Sequence, residues 1–124
     1  MKGLEMIIVE DDPISQALYI EAIHGAKAHL TFCGTVSLAV SLSALITPDV
    51  IIVDLGLPDG DGVEVIQDIR KNDQSASAYV IVATASKKTD DHQRALDAGA
   101  DALLVKPVDS KDLQKILQIL SATD

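Results

Sequence analysis

One cysteine, no tryptophan, two tyrosines and one phenylalanine in 124 residues remove several function classes at once. Cys33 has no second thiol to pair with and no thiolate cluster to join, so an internal disulfide framework and a zinc finger are both excluded. It reads instead as a small buried apolar group. With Phe32 the only phenylalanine, neither base stacking nor an aromatic ligand cage is well supplied. Cations are short too: ten Lys and Arg face nineteen Asp and Glu, a net charge of −9, which opposes binding to a phosphate backbone. The apolar stretches fall far short of the ~20 residues that cross a bilayer, and the opening "MKGLEM" lacks the apolar core of a secretion signal. The expectation is a cytoplasmic protein with no direct nucleic-acid ligand and no membrane contact. His24, His29 and His92 stand at no ligand spacing to one another and read as surface or partly buried residues.

What the chain does have is apolar content, 48% of its residues, which suits a single globular domain (residues 1–124, core about 4–120) burying roughly two-thirds of its unfolded surface. No repeat, low-complexity tract or internal linker interrupts it. Short apolar runs alternate with helical patterns, the mark of a parallel sheet. The runs are Met6–Val9, Leu30–Cys33, Val50–Val53, Tyr79–Ala83 and Ala102–Val105. Several are apolar at every position, as strands covered on both faces should be.

Helices are expected between them. Asp12-Pro13 supplies an N-cap and first-turn proline for a helix over about 13–24, with Ile14, Ala17, Leu18 and Ala22 on one face and Gly25 to end it. Residues 36–46 are helical by spacing and stop before Pro48. A third helix over about 63–71 turns Ile66 and Ile69 inward. The fourth, about 87–98, is the least apolar, with Ala95, Leu96 and Ala98 nearly all it can bury and Gly99 as its cap. It should be the least firmly held. The last, about 110–121, buries Leu113, Ile116, Leu117 and Leu120. A fivefold βα alternation joined by right-handed crossovers gives a doubly wound α/β sandwich, whose crevice lies outside the carboxyl ends of the strands.

That rule turns the sequence into a site. The strand ends carry Glu10 and Asp11, then Asp54, Thr84 and Lys106. Asp12, directly before Pro13, is assigned to the helix cap. Three carboxylates within ~4 Å would repel by ~1 kcal/mol per pair in water and by ~4 at an effective dielectric of 20. Lys106 offsets one charge, leaving two that a divalent cation would balance. An all-oxygen donor set suits Mg²⁺, with Mn²⁺ as its substitute. Strand alternation points Glu10 and Asp11 in different directions, so Asp11 is expected to touch the metal directly and Glu10 to act mainly through water. A carboxylate beside a cation, a lysine and a hydroxyl is equipped to accept a phosphoryl group, with Asp54 attacking in line. The product, an acyl phosphate, is reactive and temporary, which suits a switch.

The segments "IIVEDDP", "VIIVDLGLPDGDG", "VATAS" and "LLVKP", in that order on the expected strand ends, resemble the receiver domain of two-component response regulators, chemotaxis-regulator-like, from about Leu4 to Leu120. The resemblance implies a flavodoxin-like (βα)5 fold with a five-stranded parallel sheet in the order 2-1-3-4-5. It implies Asp54 as the phosphorylated residue, Glu10, Asp11 and Asp54 with the backbone carbonyl of Gly56 as the metal site, and Thr84 and Lys106 as switch hydroxyl and phosphate-pairing lysine. The implied donor is a phosphohistidine on a sensor histidine kinase or histidine phosphotransfer protein. The implied role is that of a signalling domain, not an enzyme, which assists its own phosphorylation and dephosphorylation. Lys106-Pro107 is typically joined by a cis peptide in such proteins. By family analogy and low apolar content, the face of helix 4, strand 5 and helix 5 is expected to meet a downstream protein. The chain is either a stand-alone receiver or a piece of a longer regulator or hybrid kinase.

Two departures stand out. Leu103 occupies the position, three before the lysine, where similar proteins usually carry an aromatic residue or histidine, so a paired motion of hydroxyl and ring cannot occur in that form. Gly56 and Ser86, two positions beyond Asp54 and Thr84, are small, which predicts self-dephosphorylation that is not unusually slow. Two other readings compete. A haloacid-dehalogenase-like phosphatase would want a second aspartate where Gly56 stands. A degenerate receiver that binds partners without phosphorylation is favoured by Leu103 and opposed by the intact acids, hydroxyl and lysine. The "DGDG" at 59–62 reads as a tight turn before a helix. An EF-hand there would need an oxygen ligand in place of Leu57 and a glutamate in place of Asp68.

Overall fold

The computed structural model describes residues 3–122. Five strands and five helices alternate along the chain: β1 (Leu4–Val9), α1 (Pro13–Ile23), β2 (Ala28–Cys33), α2 (Val36–Leu45), β3 (Val50–Asp54), α3 (Gly62–Lys71), β4 (Tyr79–Thr84), α4 (Thr89–Ala98), β5 (Ala102–Val105) and α5 (Ser110–Ala122). The strands form one parallel sheet in the order β2-β1-β3-β4-β5. A two-residue antiparallel ladder between Gly56–Leu57 and Gly60–Asp61 folds the segment after β3 into a hairpin.

Side chains of a strand alternate between faces, and both faces of this sheet are covered. Ile7, Val9, Ile51, Val53, Val80 and Val82 pack with Ala39 of α2, Val65, Ile66 and Ile69 of α3 and Ala95 of α4. Met6, Ile8, Val50, Ile52, Ile81 and Ala83 pack on the opposite side with Tyr19, Ala22 and Ile23 of α1 and Leu113 and Leu117 of α5. Each fully buried Val, Leu, Ile or Met among them contributes ~1.5–3 kcal/mol relative to exposure. The central strands, apolar over Met6–Val9, Val50–Val53 and Tyr79–Ala83, belong where two layers of helix exclude water. Cys33 is a buried free thiol, and burial pushes its pKa up to about 11.

Local chemistry explains the helix ends. Asp12 caps α1 by accepting from the Ser15 N–H at 3.0 Å, with Pro13 in the first turn. Thr35 caps α2 through the Leu38 N–H, and Asp61 caps α3 through the Val63 N–H. Gly99 ends α4 at φ 120°, where a Cβ would lie 2.9 Å from Arg70 Nε.

Two expected helix faces are turned differently. In α1 the buried residues are Tyr19, Ala22 and Ile23, while Ile14 is 72% and Leu18 52% exposed. Ala17 also faces out. This helix is apolar on more than one face, so spacing alone does not fix its rotation. The side-chain amide of Gln16 helps to fix it, donating to the Glu10 carbonyl at 2.7 Å. In α4, Ala95 is buried but Leu96 is exposed, and the helix begins at Thr89 rather than near Lys87.

Candidate functional site

The sheet register brings the polar strand ends level with one another. Val9 pairs with Val53, Asp54 with Ala83, and Thr84 with Val105, so the residues that follow these positions share one edge. Glu10, Asp11 and Asp54 each offer a carboxylate oxygen to a cluster in which those atoms lie within 4.8 Å of one another. All three donors are hard oxygens, the set that suits a small divalent cation.

Within the cluster the acids differ. Glu10 is 1% exposed, and its Oε1 accepts from Lys106 Nζ at 2.5 Å while Oε2 accepts from the Asp12 N–H at 3.2 Å. Asp11 is exposed. Asp54 is partly buried, its Oδ2 accepting from Lys106 Nζ at 3.2 Å and its Oδ1 from the Gly56 N–H at 3.2 Å. One ammonium thus bridges the two less accessible carboxylates. Burial raises the Glu10 pKa, with the Asp54 charge adding to the effect and the bonds from Lys106 and the Asp12 N–H opposing it. Burial works to lower the Lys106 pKa, but the bond to Glu10 and the charges of Asp54 and Glu10 outweigh it, and the net shift is upward.

Thr84 is buried at the end of β4, its hydroxyl accepting from the Ser86 N–H at 3.1 Å and its carbonyl from the Lys106 N–H at 2.8 Å. Asp54, Gly56, Thr84 and Lys106 line one open cleft. The Lys106-Pro107 peptide is cis. Every residue singled out from the sequence as a site candidate is therefore at this edge. Leu103 is partly buried against the core on the α2–α4 face, an apolar group with nothing to offer the Thr84 hydroxyl.

Other residues around the cleft carry no simple sequence signal. Asp59 accepts from the N–H groups of Val36 and Ser37 at 2.7 and 3.1 Å, tying the hairpin after Asp54 to the start of α2. Asp61 uses Oδ1 to cap α3 and Oδ2 to pair with Arg94 of α4 at 2.7 Å. Ser86 donates its hydroxyl to Asp91 at 2.5 Å, and its carbonyl meets His92 Nε2 at 2.7 Å. The "DGDG" turn is thus also a set of clasps, for which only the cap of α3 was foreshadowed by its position before a helix. His29 faces Glu5 at 2.8 Å, away from these groups.

A parallel doubly wound sheet with an acidic cluster and a lysine at its carboxyl edge is the architecture of a class of signalling domains, and comparison with known proteins places the chain in one of its families. The family model described as "Response regulator receiver domain" matches residues 6–118. The chain belongs to the response regulator receiver domain family of two-component systems. It is 39% identical over 114 residues to the KDP operon transcriptional regulatory protein KdpE of Escherichia coli, covering 92% of this chain and 49% of that protein. It is 34% identical over 117 residues to the transcriptional regulatory protein PmrA of Pectobacterium parmentieri, covering 94% of this chain and 52% of that one. The chain thus spans about half the length of these curated relatives. Among solved structures, the receiver domain of the sensor histidine kinase PA1611 from Pseudomonas aeruginosa, with a magnesium ion coordinated in its active-site cleft, superposes with a TM-score of 0.86 at 28% identity, over 96% of this chain and 98% of that one. Among the described residues, no helix is long and apolar enough to cross a membrane.

Proposed function

We propose that this chain accepts a phosphoryl group on Asp54 from the phosphohistidine of a sensor histidine kinase or histidine phosphotransfer protein, in the cytoplasm, and loses it again by hydrolysis. The observation that carries the reading is the bridging of Glu10 and Asp54 by one ammonium, Lys106 Nζ, beside three converging carboxylates. Such an arrangement has little value for stability alone, since a buried charge cluster must offset the desolvation of every member. It has value where a more highly charged group is to be received.

Glu10, Asp11 and Asp54, with the Gly56 carbonyl, would hold Mg²⁺ or Mn²⁺; the all-oxygen donor set and its residual negative charge fit such an ion. When bound, the ion supplies charge neutralisation to the phosphoryl oxygens. In the transfer, a carboxylate oxygen of Asp54 forms its bond to phosphorus as the bond to the donor's imidazole nitrogen breaks, and that nitrogen keeps the electron pair. Lys106 pairs with the incoming phosphoryl group and the Thr84 hydroxyl donates a hydrogen bond to one of its oxygens, both residues already lining the cleft. Hydrolysis follows when water attacks phosphorus and the Asp54 carboxylate leaves. Gly56 is exposed and bears no side chain to shield the acyl phosphate.

The domain acts by changing which protein it binds. The face of α4, β5 and α5 is the surface we assign to the downstream partner, because α4 buries only Ala95 and because Leu96 and Val105 are exposed there. A phosphorylation-independent binding role is the second reading, favoured by Leu103 in place of a residue able to follow the Thr84 hydroxyl.

Incubation with acetyl phosphate and Mg²⁺, followed by intact mass, tests the proposal. A single phosphoryl adduct is expected on the wild type and none on Asp54→Asn. No adduct under any condition would favour the binding role, and steady turnover of many phosphoesters would favour a phosphatase.

A further inference from the structure

Arg94 of α4 donates Nη2 to Asp61 Oδ2 at 2.7 Å, and both residues line the cleft that holds Asp54, Thr84 and Lys106. The pair is loosely held, with side chains 55% and 35% exposed, a setting in which an ion pair contributes little and exchanges partners readily. Asp61 does not depend on it, because its other oxygen caps α3 through the Val63 N–H at 2.9 Å. Lys106, the other cation lining the cleft, is already shared between Glu10 and Asp54. A phosphoryl group on Asp54 would replace a singly charged carboxylate by a group with three acceptor oxygens and about two negative charges. The forked guanidinium is the side chain best shaped to meet it.

Polar contacts add to the sparse apolar packing that positions α4. Ala95 is its one fully buried residue, its first turn is tied to the end of β4 by Ser86 with Asp91 and His92, and its middle is tied to the phosphoacceptor hairpin by Arg94 with Asp61. Leu103 can make no hydrogen bond that would carry the state of Thr84 outward. Among the described residues, the Thr84 hydroxyl meets α4 only through Ser86, whereas the Arg94–Asp61 pair joins α4 directly to the hairpin that follows Asp54.

We infer that Arg94 senses the phosphoryl group: it exchanges Asp61 for the phosphoryl oxygens on Asp54, and this exchange releases the middle of α4 from the hairpin. The inference rests on Asp54 being the acceptor, as proposed above. Asp61→Asn keeps the cap on α3 but weakens the hold on Arg94, so the two consequences separate.

The test uses the full chain with acetyl phosphate and Mg²⁺, intact mass to read occupancy, and amide exchange of residues 86–99. Wild type is expected to gain several-fold faster exchange in this segment on phosphorylation. Unphosphorylated Asp61→Asn should already exchange like phosphorylated wild type. Arg94→Gln, compared at matched occupancy, should lose the phosphorylation-dependent change and shed its phosphoryl group several-fold faster, with Arg94→Lys restoring part of both. An adduct on wild type with an undiminished response in Arg94→Gln overturns this inference alone. No adduct on wild type overturns the acceptor reading, and this inference with it.

Discussion

Lys106 and Asp54 stand 52 positions apart in the chain and 3.2 Å apart in the structure, and the same ammonium reaches Glu10 at 2.5 Å. Glu10 is almost wholly buried and Lys106 is its one charged donor. Replacing Lys106 with Met strands that carboxylate. The variant should lose ~1–3 kcal/mol of stability, the typical cost of an unsatisfied buried polar group, and accept phosphoryl groups on the order of 10²-fold more slowly, as when one preorganised charge donor is removed. Adding Glu10→Gln should recover much of the stability and none of the transfer rate. Urea denaturation checks the first part; a double variant no more stable than Lys106→Met would contradict it.

Gly62 and Gly56 flank the same hairpin but should respond oppositely to a methyl group. A Cβ at Gly62 would lie 2.2 Å from the Asp54 carbonyl oxygen and 2.9 Å from Leu55 Cα, both backbone atoms, whereas a Cβ at Gly56 would meet nothing within 4 Å. Gly62→Ala is therefore expected to cost ~1–3 kcal/mol, the usual penalty of overpacking, and to displace Asp54. Gly56→Ala should leave the denaturation midpoint within experimental error. Equal midpoints for both variants would refute the contrast.

A longer side chain in that open space should shield Asp54 from water. Gly56→Gln is expected to fold as the wild type does and to keep its phosphoryl group several-fold longer, followed by loss of the mass adduct after acetyl phosphate is removed. Unchanged or faster loss would mean that water reaches the acyl phosphate from another side.

Asp12 and Asp59 set an acid limit on stability. Backbone N–H groups hold both carboxyls below the ordinary range, that of Ser15 for Asp12 and those of Val36 and Ser37 for Asp59. A carboxyl lowered in the folded state contributes stability that is fully present above its unfolded pKa, about 3.9, and is lost as pH falls through the lower folded value. Glu10, raised by burial, works in the opposite sense. The comparison that isolates the two caps is wild type against Asp12→Asn/Asp59→Asn: between about pH 5 and pH 2 the wild type should lose stability more steeply. Parallel curves would show that these caps carry no proton linkage.

Much of the fold was legible because it rests on patterns of short range. The runs "MIIV", "VIIV" and "YVIVA" are apolar at every position, which a strand covered on both faces requires, and Asp12-Pro13 and Gly99 mark helix ends by their own backbone preferences. The strand-end rule then placed Glu10, Asp11, Asp54, Thr84 and Lys106 at one edge, and they are found there. The rotation of α1 was not legible. Ile14 and Leu18 are as apolar as Tyr19 and Ile23, and part of what distinguishes them is the Gln16 side chain on the Glu10 carbonyl.

The order of apolar and polar segments alone determined that this chain makes a parallel sheet with acids and a lysine at one edge, because alternation and punctuation are properties of neighbouring residues. Only the tertiary structure decided which acid is buried under Lys106, that Asp59 and Asp61 clasp α2 and α4, and that Arg94 lines the same cleft as Asp54. Those are contacts between residues dozens of positions apart, and their energies depend on distance and burial that no local pattern records.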